Sequence, residues 1–169
     1  MQQFQSDHFS EQWHGQARAG ARDSGTAPRR LLAPVKRAGD IDAALAYVLA
    51  HGGGAALQLT LLHVTPSVAA PFAAAAAGDA GLLLAAAEAR CLAVAVAHES
   101  HLLSGELAFS ILDAAEMLAC EAILLTYPEW RPWHGLFPPP TVRALRRLRR
   151  DVPLVIIGAD GAVIGEERP

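Results

Sequence analysis

The chain has 169 residues, of which 52% are hydrophobic and 18% charged, and its formal net charge is −3. This length suits one domain with a single core, and the near-neutral charge argues against a dedicated nucleic-acid binder. No segment approaches about 18 consecutive strongly apolar residues and no apolar h-region opens the chain, so we expect neither a membrane span nor a secretory leader. Cys91 and Cys120 lack metal-ligand spacing and predict reduced core thiols in a cytoplasmic protein.

The two ends of the chain differ in composition from the middle. Residues 1–28 are rich in Gln, Ser, Gly and Arg, which predicts a flexible polar N-terminal arm. Phe9 and Trp13 are four residues apart in this arm and could contact a partner, or the body of the protein, as one helical turn. Residues 161–169 are interpreted as a C-terminal tail, which leaves 29–160 as the folded domain.

Five short apolar runs, bounded by glycine, proline or polar residues, predict buried strands. They are Arg29–Val35, Leu57–Val64, Leu92–Ala97, Ala122–Thr126 and Pro153–Gly158.

Helices are predicted between these strands. The first begins near Gly39 with Asp40 as a plausible N-cap and ends at Gly52. Residues 65–80 are interpreted as a loop leading into a helix over Gly81–Arg90. A third helix has Ser104 as its N-cap and continues through Cys120. The last starts at Pro140 or Thr141 and runs to Arg150.

Strand and helix alternate five times, and the strands are apolar throughout. This pattern predicts an α/β fold with a doubly wound, five-stranded parallel sheet and helices on both faces. Ligands of such sheets bind beyond the carboxyl ends of the strands, where the strand order reverses. The segments that follow the strands there are Pro34–Arg37, His63–Thr65, His98–His101 and Thr126–Pro139.

The order and spacing of four segments resemble the universal stress protein (UspA-like) family, from Arg29 to about Gly158. These segments are "RRLLAPVK", "LQLTLLHV", "SILDAAEMLACEAILL" and "LFPPPTVRALRRLRRDVPLVII". The resemblance implies an adenine-nucleotide alpha-hydrolase-like fold with strand order 3-2-1-4-5. It also implies a homodimer through the last strand and, for part of the family, ATP or AMP binding.

The nucleotide-binding signature of that family is degenerate here. The family's Asp after strand one falls on Lys36, the two early glycines fall on Thr126 and Glu129, and the later Gly-Ser/Thr falls at about Pro140-Thr141. Glycines let backbone N–H groups approach phosphates. Proline has no N–H to donate, and a Glu carboxylate repels phosphate, so we expect no cofactor and disfavour ATP or AMP.

The alternative is a binding protein for a nucleotide or other adenine-like small ligand, held in a non-standard mode at the crevice after the fourth strand. Lys36 and Arg131 could pair directly with an anion, and Tyr127, Trp130 and Trp133 could cover a planar or adenine-like ligand. The aromatic residues could equally fill the space of a nucleotide or pack at a dimer contact. The candidate ligand-binding residues in this reading are Pro34, Val35, Lys36, Val64, Thr126, Tyr127, Trp130, Arg131, Trp133 and Thr141.

Two further groups of polar residues favour structural interpretations. The run from His98 to His101 has ligand-type side chains, which only His63 or His134 could join, and a metal site needs three or four convergent ligands. We interpret this run as part of a loop and predict no metal. Five arginines between Arg143 and Arg150 are typical of a solvated helix, although a weak anionic or nucleic-acid contact is an alternative.

No catalytic constellation is present. The sequence contains no Gly-x-Ser-x-Gly nucleophile elbow, no paired carboxylates at strand ends and no Gly-rich dinucleotide fingerprint after strand one. A weak phosphate-ester hydrolase is supported only by analogy of fold. The sequence therefore predicts a non-enzymatic regulatory or interaction domain with an unidentified protein partner. It predicts no membrane association.

Overall fold

The fold was obtained as a computed structural model that describes residues 28–52, 56–66, 70–127, 138–148 and 151–168. The predicted N-terminal arm, Trp130, Arg131, Trp133 and His134 lie outside these residues. The strands are β1 (Arg29–Pro34), β2 (Leu57–Thr65), β3 (Ala97–Ser104), β4 (Ala122–Thr126), β5 (Leu154–Ile157) and β6 (Val163–Glu167). The helices are α1 (Ala38–His51), α2 (Ala70–Ala93), α3 (Leu107–Met117) and α4 (Pro140–Leu148).

The strands form one sheet in the order β3-β2-β1-β4-β5-β6. The first five are parallel, and β6 pairs antiparallel with β5. This arrangement confirms the predicted doubly wound α/β fold and the order of its five parallel strands. The direction of winding reverses between β1 and β4, which lie side by side although most of the chain separates them.

Alternating strand residues build a hydrophobic layer on each face of the sheet. In β1, Leu31 and Ala33 face one layer with α1 and α2, whereas Leu32 faces the other with α3 and α4. The central strands are almost entirely inaccessible, which explains why their sequences are apolar throughout. The two layers hold the strand ends, and hence the crevice at the β1–β4 junction, in fixed positions.

The third strand differs most from its prediction. The sequence predicts a strand at Leu92–Ala97, but the chain is helical to Ala93 and then turns through Ala95, whose φ is 55°. The strand is Ala97–Ser104, so the polar run from His98 to His101 lies within it and not in a loop. An edge strand tolerates polar side chains when neighbouring elements bond them, and Thr60 and Glu88 do so here.

The starts of three helices also differ from their predictions. The loop predicted at 65–80 is largely helical, since α2 starts at Ala70. Asp40 is not the N-cap of α1 but its third helical residue, because Arg37 occupies the cap position. Similarly, the N-cap of α3 is Glu106 and not Ser104, since the Glu106 carboxylate accepts hydrogen bonds from the amides of Ala108 and Phe109.

The end of the chain adds a sixth strand where the sequence predicts a tail. Ile157 is followed by a tight turn that contains Gly161, and Val163–Glu167 then return along the outer edge of β5. Glu167 also pairs with Arg146 of α4. The edge of β5 is therefore already occupied by this chain's own backbone, and a second copy could pair there only if β6 were displaced.

Both cysteines are free and buried, as the sequence predicts. Burial raises the pKa of the Cys91 thiol to about 11, with the neighbouring Glu88 acting in the same direction, and burial also raises the pKa of Cys120. We expect both thiols to react slowly with maleimide at pH 8 in the native protein and rapidly in denaturant, because thiolate is the reactive form. Rapid labelling of either cysteine under native conditions would contradict their placement.

Candidate functional site

A cavity of about 230 Å³ opens at the carboxyl ends of β1 and β4, where the winding of the sheet reverses. The first turns of α1, α3 and α4 contribute to its walls, so the positive ends of three helix dipoles lie near it. Its lining residues are Pro34, Lys36, Arg37, Asp40, Leu107, Ile111, Leu125, Thr126, Tyr127 and Thr141. This is the location at which doubly wound folds bind ligands.

The most consequential side chain in the cavity wall is Asp40. It is only 6% exposed, and one of its carboxylate oxygens accepts hydrogen bonds from the backbone amides of Lys36 and Arg37, both at 2.9 Å. Its other oxygen lies 3.6 Å from the Arg37 guanidinium. This carboxylate therefore satisfies two backbone donors at the start of α1 and leaves neither available to a ligand.

On the β4 side, hydroxyl groups line the cavity. The Thr126 hydroxyl donates a 3.4 Å hydrogen bond to the backbone carbonyl of Asp40, which joins β4 to α1. Burial raises the pKa of the Tyr127 phenol, and a side-chain hydrogen bond with Thr141 opposes that shift. The Tyr127 amide donates to the carbonyl of Ile157 at 2.9 Å, so β5 fixes the start of the segment that follows β4.

The entry to α4 is built from prolines. Pro138 and Pro139 precede the helix, and Pro140 is its first residue. Because none of the three carries an N–H, this turn cannot form the run of backbone donors that cradles phosphate groups. Thr141 is the first residue of the turn with an N–H, and its side chain lies in the cavity wall.

The charges around the cavity are mixed. Lys36 and Arg37 are exposed at its rim, whereas Asp40 is buried within it. Leu107, Ile111 and Leu125 form an apolar wall. The cavity can therefore hold a small, partly apolar molecule with a hydroxyl or an anionic group at the rim, but it does not offer the donor-rich loop of a phosphate site.

Five of the ten candidate ligand-binding residues from the sequence analysis line this cavity. They are Pro34, Lys36, Thr126, Tyr127 and Thr141. Val35 does not line it, since its side chain is 1% exposed in the core under α1, and Val64 packs against the other hydrophobic layer. Trp130, Arg131 and Trp133 lie outside the described residues. Whether any of these residues binds a ligand stays a prediction.

Sequence reasoning missed Asp40 as a cavity residue, as well as the apolar wall. Asp40 was interpreted only as a helix cap, and the signal that could have placed it is its position four residues after Lys36 at the end of a buried strand. The wall residues Leu107 and Ile111 carry no such signal, because their helical spacing is that of ordinary core positions.

The polar side chains of β3 lie on both faces of the sheet, away from the cavity. Glu99 accepts a 2.9 Å hydrogen bond from the Thr60 hydroxyl and lies 3.7 Å from the His101 imidazole. Burial lowers the pKa of His101, although Glu99 opposes the shift. His98 is buried, with Nδ1 3.0 Å from the Val96 carbonyl oxygen.

Among the described residues, no group of three or more His, Cys, Asp or Glu side chains could hold a metal ion. None of the helices formed by the described residues is both long enough and apolar enough to span a bilayer.

Comparison with solved structures identifies the fold. The chain matches a universal stress protein from Burkholderia pseudomallei at 19% identity over 79% of this chain and 98% of that one, with a TM-score of 0.57. It matches one from Archaeoglobus fulgidus at 18% identity, 76% and 93% coverage and a TM-score of 0.58. A third match is the universal stress protein from Archaeoglobus fulgidus in complex with dAMP, at 17% identity, 77% and 97% coverage and a TM-score of 0.53.

No protein-family model matches the chain, and no curated protein matches it significantly. At these identities the structural similarity shows the fold alone. The chain has the universal stress protein fold, which is adenine-nucleotide alpha-hydrolase-like, with one added antiparallel strand.

Proposed function

We propose that this chain, which has the universal stress protein fold, is a cytoplasmic, non-enzymatic regulatory or interaction module that does not bind ATP in the usual way of that fold. The observation that carries the proposal is the bonding of Asp40. Its carboxylate accepts hydrogen bonds from both amides that follow β1. A phosphate that approached these amides would find both donors already bonded and would be repelled by the buried carboxylate.

The second support comes from the opposite side of the crevice. Pro138, Pro139 and Pro140 replace the backbone donors that a phosphate cradle requires, and Glu129 stands at one of the positions where nucleotide-binding relatives have glycine. Of the later Gly-Ser/Thr pair of the signature, only the hydroxyl is retained, on Thr141. Two segments that lie far apart in the sequence thus oppose phosphate binding.

The size of the cavity agrees with this proposal. Pockets for drug-sized ligands usually enclose roughly 300–1,000 Å³, whereas this one encloses about 230 Å³. A molecule with both a base and a triphosphate would extend beyond it.

We expect 1 mM ATP or AMP with Mg²⁺ to leave the melting temperature of the protein unchanged. A nucleotide present at about 100 times its Kd would add about 2.7 kcal/mol to the free energy of unfolding, which corresponds to an increase of about 5–10 °C for a chain of this size. Differential scanning fluorimetry would measure the shift, with guanosine triphosphate as a control for non-specific effects.

An increase of several degrees with ATP but not with guanosine triphosphate would contradict the proposal. Lys36→Ala would then show whether the shift depends on the cavity, and Lys36 is a suitable position because its side chain is exposed.

The alternative function is binding of a nucleotide or other adenine-like small ligand in a non-standard mode at the crevice beside β4. It is favoured by the two cations at the rim, Lys36 and Arg37, and by the Tyr127 ring in the cavity wall. Arg131, Trp130 and Trp133 would complete such a site in the sequence-based hypothesis. Mass spectrometry of small molecules released from the denatured protein distinguishes the two functions, since only this alternative predicts a stoichiometric ligand.

The expected homodimer also stays a proposal, but its interface needs revision. The resemblance implies pairing through the last parallel strand, whereas β6 of the same chain occupies that edge of β5. A dimer of this protein therefore requires either displacement of β6 or a different surface.

A further inference from the structure

The outward face of α2 is apolar although it faces solvent. Five positions from Gly78 to Leu92 recur at alternating spacings of four and three residues: Gly78, Leu82, Ala85, Ala89 and Leu92. All five are exposed, and the two leucines are 74% and 54% exposed. We call these five residues the α2 stripe. It lies opposite the face by which α2 packs on the sheet, where Ala80, Leu84, Ala87 and Cys91 are buried.

The spacing of the α2 stripe is that of a helix–helix seam. Positions that alternate by four and three residues form one continuous row along a helix, and such rows pack against a row on a second helix. The row from Gly78 to Leu92 is about 21 Å long. Exposed leucines scattered singly need no explanation, but two leucines joined by alanine and glycine into one row form a contiguous apolar patch.

The order of large and small residues makes the α2 stripe complementary to itself. When two copies are placed antiparallel about a two-fold axis near Ala85, Leu82 lies opposite the partner's Ala89. Gly78 then lies opposite the partner's Leu92. Each leucine therefore meets a small residue, which lets the two helices approach closely.

The charges beside the α2 stripe are complementary in the same arrangement. Asp79 and Arg90 are both exposed and lie along the same flank of the helix, eleven residues apart. In the antiparallel pair Asp79 faces the partner's Arg90, and the two-fold axis generates the same ion pair a second time. Within one chain Arg90 pairs with Asp42 of α1 at the surface, so the partner's Asp79 would have to share this guanidinium with Asp42.

Gly78 supports the same interpretation. Glycine is less favourable than alanine inside a helix, and a side chain added at Gly78 would meet nothing within 4 Å. Packing within one chain therefore does not require a glycine at this position. Close approach of a second helix gives a physical reason for one.

We propose that the α2 stripe is a homodimer interface, occupied by the α2 helix of a second copy packed antiparallel about Ala85. This surface remains available when β6 covers the edge of β5, so the proposal needs no displacement of the C-terminal strand. It does not depend on whether the crevice binds a ligand. Because a single helix pair is smaller than a standard interface of about 800 Å² per partner, we expect a concentration-dependent dimer.

Sedimentation equilibrium of the full chain between about 1 and 200 µM tests this proposal, since such an interface should give micromolar affinity. We expect a reversible monomer–dimer equilibrium, weakened at least about tenfold in Leu82→Glu/Leu92→Glu, because four apolar contacts, two from each copy, are replaced by charges at the interface. Met117→Glu is the matched control, since Met117 is 57% exposed on α3, on the opposite face of the sheet. Glutamate preserves helix propensity at all three positions.

Two further measurements do not depend on how well the double variant folds. Ala85→Cys lies on the proposed axis and should form a disulfide-linked dimer under mild oxidation, whereas Met117→Cys should not. Asp79→Arg mixed with Arg90→Asp should form a heterodimer with both ion pairs matched, more stable than either variant alone. A wild-type protein that is monomeric throughout the concentration range would overturn the proposal. So would a dimer that is unaffected by Leu82→Glu/Leu92→Glu and is not linked through Ala85→Cys.

Discussion

Replacing Gly161 with alanine is expected to lower the free energy of unfolding by about 2–4 kcal/mol, because two penalties add at this position. The φ of Gly161 is 77°, a conformation that alanine adopts only with strain. A Cβ there would also lie 2.5 Å from the backbone nitrogen of Tyr47 and 2.8 Å from the carbonyl carbon of Ala46. These are backbone atoms of α1, which cannot rotate away as a side chain can. Urea unfolding followed by circular dichroism measures the loss.

Gly165→Ala is the matched control in the adjoining strand. A Cβ at Gly165 would contact only the Ile156 side chain, at 3.6 Å or more, which is ordinary van der Waals distance. We expect this variant to change the free energy of unfolding by less than about 1 kcal/mol. Equal losses in the two glycine variants would show that the turn after β5 does not pack against α1 as described.

Asp40→Ala is expected to cost about 2–3 kcal/mol of the free energy of unfolding. The carboxylate is buried and accepts hydrogen bonds from the amides of Lys36 and Arg37, so its removal leaves both donors without their partner. Hydrogen bonds to a charged acceptor are worth about 1.5–3 kcal/mol, and unsatisfied donors add a desolvation penalty. Chemical denaturation of the variant and the parent protein under the same conditions provides the measurement.

Asp42→Ala serves as the control for Asp40→Ala. Asp42 lies two residues further along α1, and its side chain is 56% exposed in a surface pair with Arg90. Such pairs contribute no more than about 1 kcal/mol. If Asp40→Ala were as stable as Asp42→Ala, the Asp40 carboxylate would not be the structural acceptor of the β1–α1 loop, and the main objection to phosphate binding would be lost.

The interior of the sheet could be predicted from sequence because burial on both faces imposes a simple composition. Four of the five parallel strands lie within a residue or so of their predicted ends, and β4 matches its prediction at both ends. Short apolar runs that alternate with helical segments allow few other arrangements. The strand order came from the resemblance to universal stress proteins, and the solved structures confirm the fold that it implied.

The edges of the sheet could not be predicted in the same way. The third strand contains Glu99 and His101, whose burial depends on groups far away in sequence such as Thr60 and Arg30. A short window around residue 99 therefore resembles a loop. The sixth strand has only two large apolar residues, Val163 and Ile164, and is stabilised by its pairing with β5, which no local pattern reveals.

The candidate site was predictable in its location but not in its chemistry. The carboxyl ends of β1 and β4 follow from the topology, and Lys36 and Thr126 follow from their positions at those ends. The bonding of Asp40 to the preceding amides depends on the precise conformation of three residues. Helix-start carboxylates have several possible partners, so the sequence alone does not select this one.

Isothermal titration of the protein with ATP in the presence of Mg²⁺ tests the central claim most directly. The claim is that the crevice at the β1–β4 junction does not bind ATP in the usual way. The Asp40 carboxylate accepts hydrogen bonds from the amides after β1, and prolines replace the backbone donors before α4. We predict no saturable heat up to about 1 mM ATP, which corresponds to a Kd weaker than 1 mM. One-to-one binding at micromolar Kd that is lost in Lys36→Ala would contradict this account.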